Sequence, residues 1–235
     1  MNKYFFLLSF LFLIIFSCKK EEVKSNEGMH PKDYFSVVTN LKKLKYIEKH
    51  KINDSLYNVR GQFNTYEVTG QMNGNNVKTD WWEVKDLKTK MLVAKLEYKI
   101  IDDKEFVNQY FLFTQEKLDT LNSKFYKLKK NGNLLKYRFY TSALYKKIQP
   151  EGKLNYHVYS NGKEVSHLQC RCKKYNNFYD CQFTIPTNSK KVIIRGNFWE
   201  MFQLENGNVG ENEIYVLDTL DQKPPTETTK LINPK

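Results

Sequence analysis

The sequence predicts an all-β protein of mainly antiparallel sheets, sandwich-like, with a short N-terminal helix. Three observations predict it. After Ser55, runs rich in β-branched and aromatic residues follow one another: "FNTYEVTGQM", "VKTDWWEV", "MLVAKLEYKII" and "EFVNQYFLFT". Turn signals at Asn73-Gly74, Asp102-Asp103 and Asn131-Gly132 separate strands at hairpin distances. No long helical crossover intervenes, so neighbouring strands pair antiparallel. Aromatic residues at 15%, with modest Gly and Pro, belong to a folded chain with a packed core.

In chain order, the helix comes first. Asp33 is placed to cap it, and apolar residues recur at Phe35, Val38, Leu41 and Leu44, with Ile47 beyond. Residues 33–128 then form an N-terminal antiparallel half. The basic, turn-rich "KKNGNLLK" (129–136) reads as a seam, and residues 129–220 form a C-terminal β half. Residues 221–235, rich in Pro, Thr and Lys, read as a disordered tail.

The second half holds a hairpin whose register follows from its turn. Asn176-Asn177 tolerates the positive φ of a two-residue turn. With that pair at the centre, Tyr175 faces Phe178, Lys174 faces Tyr179 and Cys172 faces Cys181. The Cys172/Cys181 pair is then of the closer, non-hydrogen-bonded kind, within reach of a disulfide. The same register sorts Leu168, Cys170, Cys172, Tyr179, Cys181, Phe183 and Ile185 onto one face and polar residues onto the other. Cys170 is left as a buried thiol, or takes Cys181 if the turn slips.

The N-terminus gives an address. Lys3 precedes an apolar run from Tyr4 to Phe16, about thirteen residues and short of the roughly twenty that cross a bilayer. A charged start and a short apolar core make an export signal, residues 1–17. "IFSC" (Ile15–Cys18) resembles the lipobox of bacterial lipoproteins, with Phe16 a departure from the commonest pattern. That resemblance implies lipidation of Cys18 with diacylglycerol, cleavage before it, and acylation of the new amino group. At about 0.8 kcal/mol per buried methylene, two or three acyl chains make a firm anchor. Residues 18–32 then form the lipidated Cys and a flexible tether, since "KKEEVKSNEG" is polar and lacks aromatics. Its Lys/Glu cluster also resembles the export signal of surface lipoproteins in Bacteroidota. The implied location is the bacterial cell envelope, in the outer membrane and surface-exposed.

"GQMNGNNVKTDWWEV" (70–84) resembles the hairpin unit of MORN proteins, a strand, a tight turn and a second strand. Gly70, Asn73, Gly74, Trp81 and Trp82 match, and Asp80 stands where a glycine is expected. The match covers one unit and no tandem copies follow, so a single hairpin in a sheet is expected rather than a solenoid.

The formal charge of +12 comes from scattered lysines rather than one block. Scattered lysine reads first as a soluble face; the sign of the charge would attract anionic lipid headgroups, acidic polysaccharide or nucleic acid alike, and of these nucleic acid is not the partner expected. The chain carries no G-x-S-x-G elbow, no H-E-x-x-H helix and no phosphate-cradling glycine loop. The Asn161-Gly162 hairpin pairs His157 with Ser166 and Tyr156 with His167, which points the two histidines to opposite faces. No catalytic, cofactor-binding or metal-binding residues are therefore expected, and no enzyme. In "DWWEV" the adjacent Trp81 and Trp82 must face opposite sides of a strand, and these two are the candidate ligand-binding residues. The expected function is a lipid-anchored, non-catalytic binding module for a glycan or protein partner. Alternatives are an immunity-type lipoprotein that neutralises a toxin, or a polysaccharide-active enzyme.

Overall fold

A computed structural model describes residues 31–143, 146–186 and 191–221. The leader, Cys18, most of the tether and the tail beyond Asp221 lie outside the described residues. Helix α1 (Pro31–Val38) and a 3-10 turn (Leu41–Lys43) precede fourteen described strands. The first seven are β1 (Lys45–Asn53), β2 (Leu56–Phe63), β3 (Tyr66–Asn73), β4 (Lys78–Asp86), β5 (Leu92–Ile101), β6 (Lys104–Thr114) and β7 (Lys117–Leu118). They form one antiparallel meander in sequence order. The others are β8 (Phe125–Asn131), β9 (Leu134–Tyr140), β10 (Ile148–Ser160), β11 (Lys163–Lys174), β12 (Phe178–Thr184), β13 (Lys191–Gln203) and β14 (Val209–Asp221). Their sheet runs β14-β13-β10-β11-β12-β9-β8.

The all-β, antiparallel expectation holds, but each sheet closes its own core. In the meander, alternation decides which face is buried. On β5, Ala94, Leu96 and Tyr98 are buried at every second position, and Val59, Val68, Met72, Trp82 and Val84 join them from β2, β3 and β4. Helix α1 and the turn after it cover this face with Val38 and Leu44, and Tyr34, Phe35 and Leu41 pack alongside. The second sheet curls on itself until it is nearly barrel-like. Tyr137 on β9 donates to Asp218 on β14 at 2.9 Å, and Lys130 on β8 donates to the Asp221 carbonyl at 3.2 Å. Leu135, Phe139, Leu154, Tyr179, Ile194 and Phe198 fill its interior.

Three boundaries differ from expectation. The helix stops at Val38, and residues 45–53 are strand: pairing of Glu48–Lys51 with Tyr57–Arg60 outweighs the three-residue spacing of Leu41, Leu44 and Ile47. The division between sheets falls between Leu118 and Phe125, not near residue 129. "KKNGNLLK" instead makes the β8–β9 hairpin, with Gly132 at φ 59 in its turn. Asp221, placed at the start of a tail by the sequence, still pairs with Lys191 in β14, and the rest of that expected tail lies outside the described residues.

The sheets join along β6. Tyr110 bridges to Lys124, and the Leu112 amide donates to Ser123 Oγ at 2.9 Å. Buried Lys124 Nζ donates to the carbonyls of Val107 and Glu213 at 3.2 and 2.8 Å. Phe106 meets Tyr215 edge-to-face, with centroids 5.4 Å apart.

Candidate functional site

The face of the meander opposite α1 carries the most chemistry. The β3–β4 hairpin creates it through a bulge. Thr69 pairs with Glu83 and Gln71 with Thr79, so Asp80, Trp81 and Trp82 together oppose Gly70. Asp80 takes φ 56, the left-handed region that suits glycine, and so occupies a glycine-type position with a side chain. Gly70 is required for space: a Cβ there would fall inside the Trp82 ring. Trp82 is 0% exposed, packs edge-to-face on Tyr98 and donates from Nε1 to the Gln71 carbonyl at 2.9 Å. It is a core residue and cannot touch a ligand. That corrects its candidacy, because the buried face of the strand fell to the second tryptophan.

Trp81 points the other way. Its ring stacks on Phe111 of β6, centroids 5.4 Å apart and planes at 27°, with Lys95 Nζ 5.3 Å from its centroid. On the side toward β1–β3 lies a hollow of about 360 Å³, bounded by Trp81, His50, Asn58, Arg60, Gln71 and Glu83. Phe111 thus supports the indole on one side, and the hollow is walled by it on the other. The floor is made of planar polar groups, a guanidinium, two primary amides and a carboxylate. Arg60 binds Glu67 at 2.7 Å, and that hydrogen bond holds the Glu67 carboxyl below its usual range. Glu83, between Lys85 at 3.1 Å and Lys95 at 3.3 Å, is also held low, chiefly by its hydrogen bond from Lys85. A general acid needs the opposite shift. What the hollow offers is recognition: an aromatic wall for an apolar ring face, and fixed donors and acceptors for hydroxyls.

The aromatic wall continues onto the second sheet. Phe111 meets Phe125 at 4.9 Å, Phe125 stacks on Tyr140 at 4.4 Å, Tyr140 meets Phe178 at 5.6 Å, and Phe178 stacks on Tyr175 at 4.9 Å. Cations lie over the same row: Lys127 over Phe125 and Tyr140, Arg138 over Phe178 at 4.1 Å, and Lys173 over Tyr175. Phe125 is fully buried and Tyr175 is 41% exposed, so the row rises from the joint to the β11–β12 turn. No sequence signal announces this row, because its members come from β4, β6, β8, β9 and the β11–β12 hairpin.

No protein-family model matches the chain, and no curated protein matches it.

The cysteine hairpin has the expected register, with Lys173 opposite Asp180 and Lys174 opposite Tyr179. Cys172 and Cys181 form a disulfide-capable pair with Cα atoms 4.6 Å apart, while Cys170 is a half-buried free thiol whose burial pushes its pKa up. The neighbouring hairpin corrects the histidine pairing. A register shift beside Tyr159 sets His157 opposite His167, their rings stacked 3.9 Å apart, both on the outer face. Cys170 and Cys172 turn inward with Leu154 and Tyr156. Among the described residues, no group of three or more His, Cys, Asp or Glu side chains is placed to hold a metal ion.

A second polar cluster lies inside the curled sheet. Fully buried Glu200 accepts from Lys147 Nζ at 2.8 Å, Asn212 Nδ2 at 2.7 Å, Tyr179 OH at 2.9 Å and Thr141 Oγ1 at 3.2 Å. Burial pulls the Lys147 pKa down, against the pull of Glu200. Both carboxylate oxygens already have partners, so the cluster is a satisfied structural plug.

Proposed function

We propose that this chain is a lipid-anchored, non-catalytic binding module of a bacterial envelope, and that it recognises a glycan in the hollow beside Trp81. The observation that carries the reading is the Trp81 ring, backed by Phe111 and standing over Asn58, Arg60, Gln71 and Glu83. A sugar ring presents an apolar C–H face and a rim of hydroxyls, and those two surfaces match a supported indole beside planar polar side chains. Lys95, Lys127, Arg138 and Lys173 along the aromatic row favour a glycan that carries carboxylates or sulfates.

The anchor rests on Cys18 after "LIIFS" and on the polar residues that follow it. The Lys/Glu cluster after Cys18 supports a location at the outer membrane, facing outward. Labelling with radioactive palmitate tests this part: the label is expected on the native chain and absent from Cys18→Ala. Glycan-array binding tests the rest, with Trp81→Ala expected to lose at least tenfold in affinity. Retention of binding in that variant would remove the hollow from the proposal.

A further inference from the structure

Strand β1 reads "KYIEKHKIN" and, among the described residues, pairs only with β2. All nine of its residues are exposed. The other sheet ends are closed or minimal: β7 has two residues, and β8 and β9 tie to β14 through Lys130 and Tyr137, with Lys124 just before β8 adding a third link. Among the described residues, β1 therefore presents a row of backbone donors and acceptors, regular over Glu48–Lys51, with no strand beyond it. Edge lysines are an ordinary guard against aggregation, but guarded edges are usually short, bulged or covered. This one is irregular at both ends, with register shifts between Lys45 and Glu48 and between Lys51 and Asn53, but it pairs regularly from Glu48 to Lys51 and leaves Tyr46 77%, Ile47 40% and Ile52 46% exposed beside its lysines.

Hollows reach this edge on both faces of the sheet. The Trp81 hollow reaches β1 at His50. A second, of about 510 Å³, lies on the helix side, reaches β1 at Ile47 and Lys49, and is lined further by Leu41, Lys42 and Lys78. An extended chain hydrogen-bonded to β1 sends successive side chains to opposite faces. Its alternate residues would then approach the two hollows in turn. Strand addition draws affinity from the backbone and selectivity from such paired pockets.

Charge selects the occupant. Lys45, Lys49 and Lys51 outnumber Glu48 on the strand, Lys51 being paired with Asp54 at 2.8 Å, and Lys42 adds a cation beside it. Lys78 is already paired with Glu105 at 3.3 Å. A second copy of this chain would bring the same lysines to the same edge, and like charges directly opposite one another are destabilising. We infer that β1 is a docking edge for an extended, acidic segment of a partner protein, which adds as an eighth strand and sets acidic side chains against Lys42 and Lys49. This contact differs from glycan recognition in depending on the β1 backbone and the helix-side lysines rather than on Trp81, although its alternate side chains reach the rim of the Trp81 hollow at His50.

The test uses the purified full chain and an acetylated, amidated octapeptide of alternating Glu and Val, followed by fluorescence anisotropy and amide NMR. The octapeptide is expected to bind and to shift amides of β1 and of residues 41–42. The same peptide N-methylated at every second residue keeps its charge but cannot pair, and is expected to bind at least tenfold more weakly. Lys49→Glu with Lys51→Glu is expected to weaken the unmethylated peptide at least tenfold while leaving glycan-array binding as in the native protein. That contrast separates failure of this inference from failure of the glycan reading. Equal binding of the methylated peptide, shifts centred away from β1, no binding at all, or dimerisation through β1 that excludes the peptide would each overturn it.

Discussion

Asn108 grips the backbone of Tyr215 at both ends, its Nδ2 donating to the Tyr215 carbonyl at 3.0 Å and its Oδ1 accepting the Tyr215 amide at 2.6 Å. One side-chain amide thus stands in for a strand, and it links β6 of the meander to β14 of the curled sheet. Its Nδ2 also donates to Glu97 at 2.6 Å, so the amide is fully used. Asn108 is fully buried. Asn108→Ala leaves buried partners unpaired and is expected to cost about 2–3 kcal/mol. Thermal unfolding should show it as a fall in Tm of about 5–10 °C. Asn108→Asp should be no better, because it sets a second carboxylate against Glu97.

The β3–β4 bulge makes opposite demands on two neighbouring positions. Gly70→Ala forces a methyl into the Trp82 ring and is expected to destabilise by about 1–3 kcal/mol. Asp80→Gly relaxes a left-handed residue at φ 56 and is expected to be neutral or to stabilise by up to about 1 kcal/mol. Urea unfolding of the two variants checks the pair. Destabilisation by both would mean that the Asp80 side chain, not its backbone, holds the bulge.

Burial pulls the pKa of Lys124 from the usual 10.5 down to about 7, against the weaker pull of Glu213 and Glu97. Between those values the unfolded chain holds a proton that the folded chain does not, so stability rises with pH across the window. From pH 7 to pH 9 the gain from this lysine is about 2–3 kcal/mol. Lys124→Met, which keeps the length without the charge, is expected to flatten that slope. Denaturant midpoints at several pH values for both proteins measure it, and the difference between them removes the contributions of Lys147 and Lys174.

The Cys172–Cys181 link closes a short loop, and its loss in Cys172→Ser with Cys181→Ser is expected to cost about 2–3 kcal/mol. Cys170→Ser should change stability little, since the half-buried thiol bonds only weakly to the Gln182 carbonyl, at 3.9 Å. Unfolding midpoints with and without reductant separate these effects.

Local chemistry decided which features the sequence revealed. Asn176-Asn177 sets its own hairpin register because the turn constraint lies inside the pair, and Tyr175–Phe178 to Lys173–Asp180 follow it. The extra residue near Val165 on β11 carries no Gly or Pro signal, so the shift that brings His157 opposite His167 was not visible. Alternation placed Trp81 and Trp82 on opposite faces but could not say which was buried; α1, arriving from residues 31–38, decides that. The joint was hidden for a different reason. Asn108 and Tyr215 lie 107 residues apart, and no local pattern marks an amide that will serve as a strand.

Glycan-array binding by the native protein, Trp81→Ala and Trp199→Ala is the most direct test of the binding face. Trp199 lies on β13, bonded to Glu211 at 3.3 Å and outside the aromatic row, so it controls for general loss of tryptophan. The expected result is an acidic glycan bound by the native protein and by Trp199→Ala, and bound at least tenfold more weakly by Trp81→Ala. Equal binding by all three proteins, or a folded native protein that retains no glycan, would contradict it.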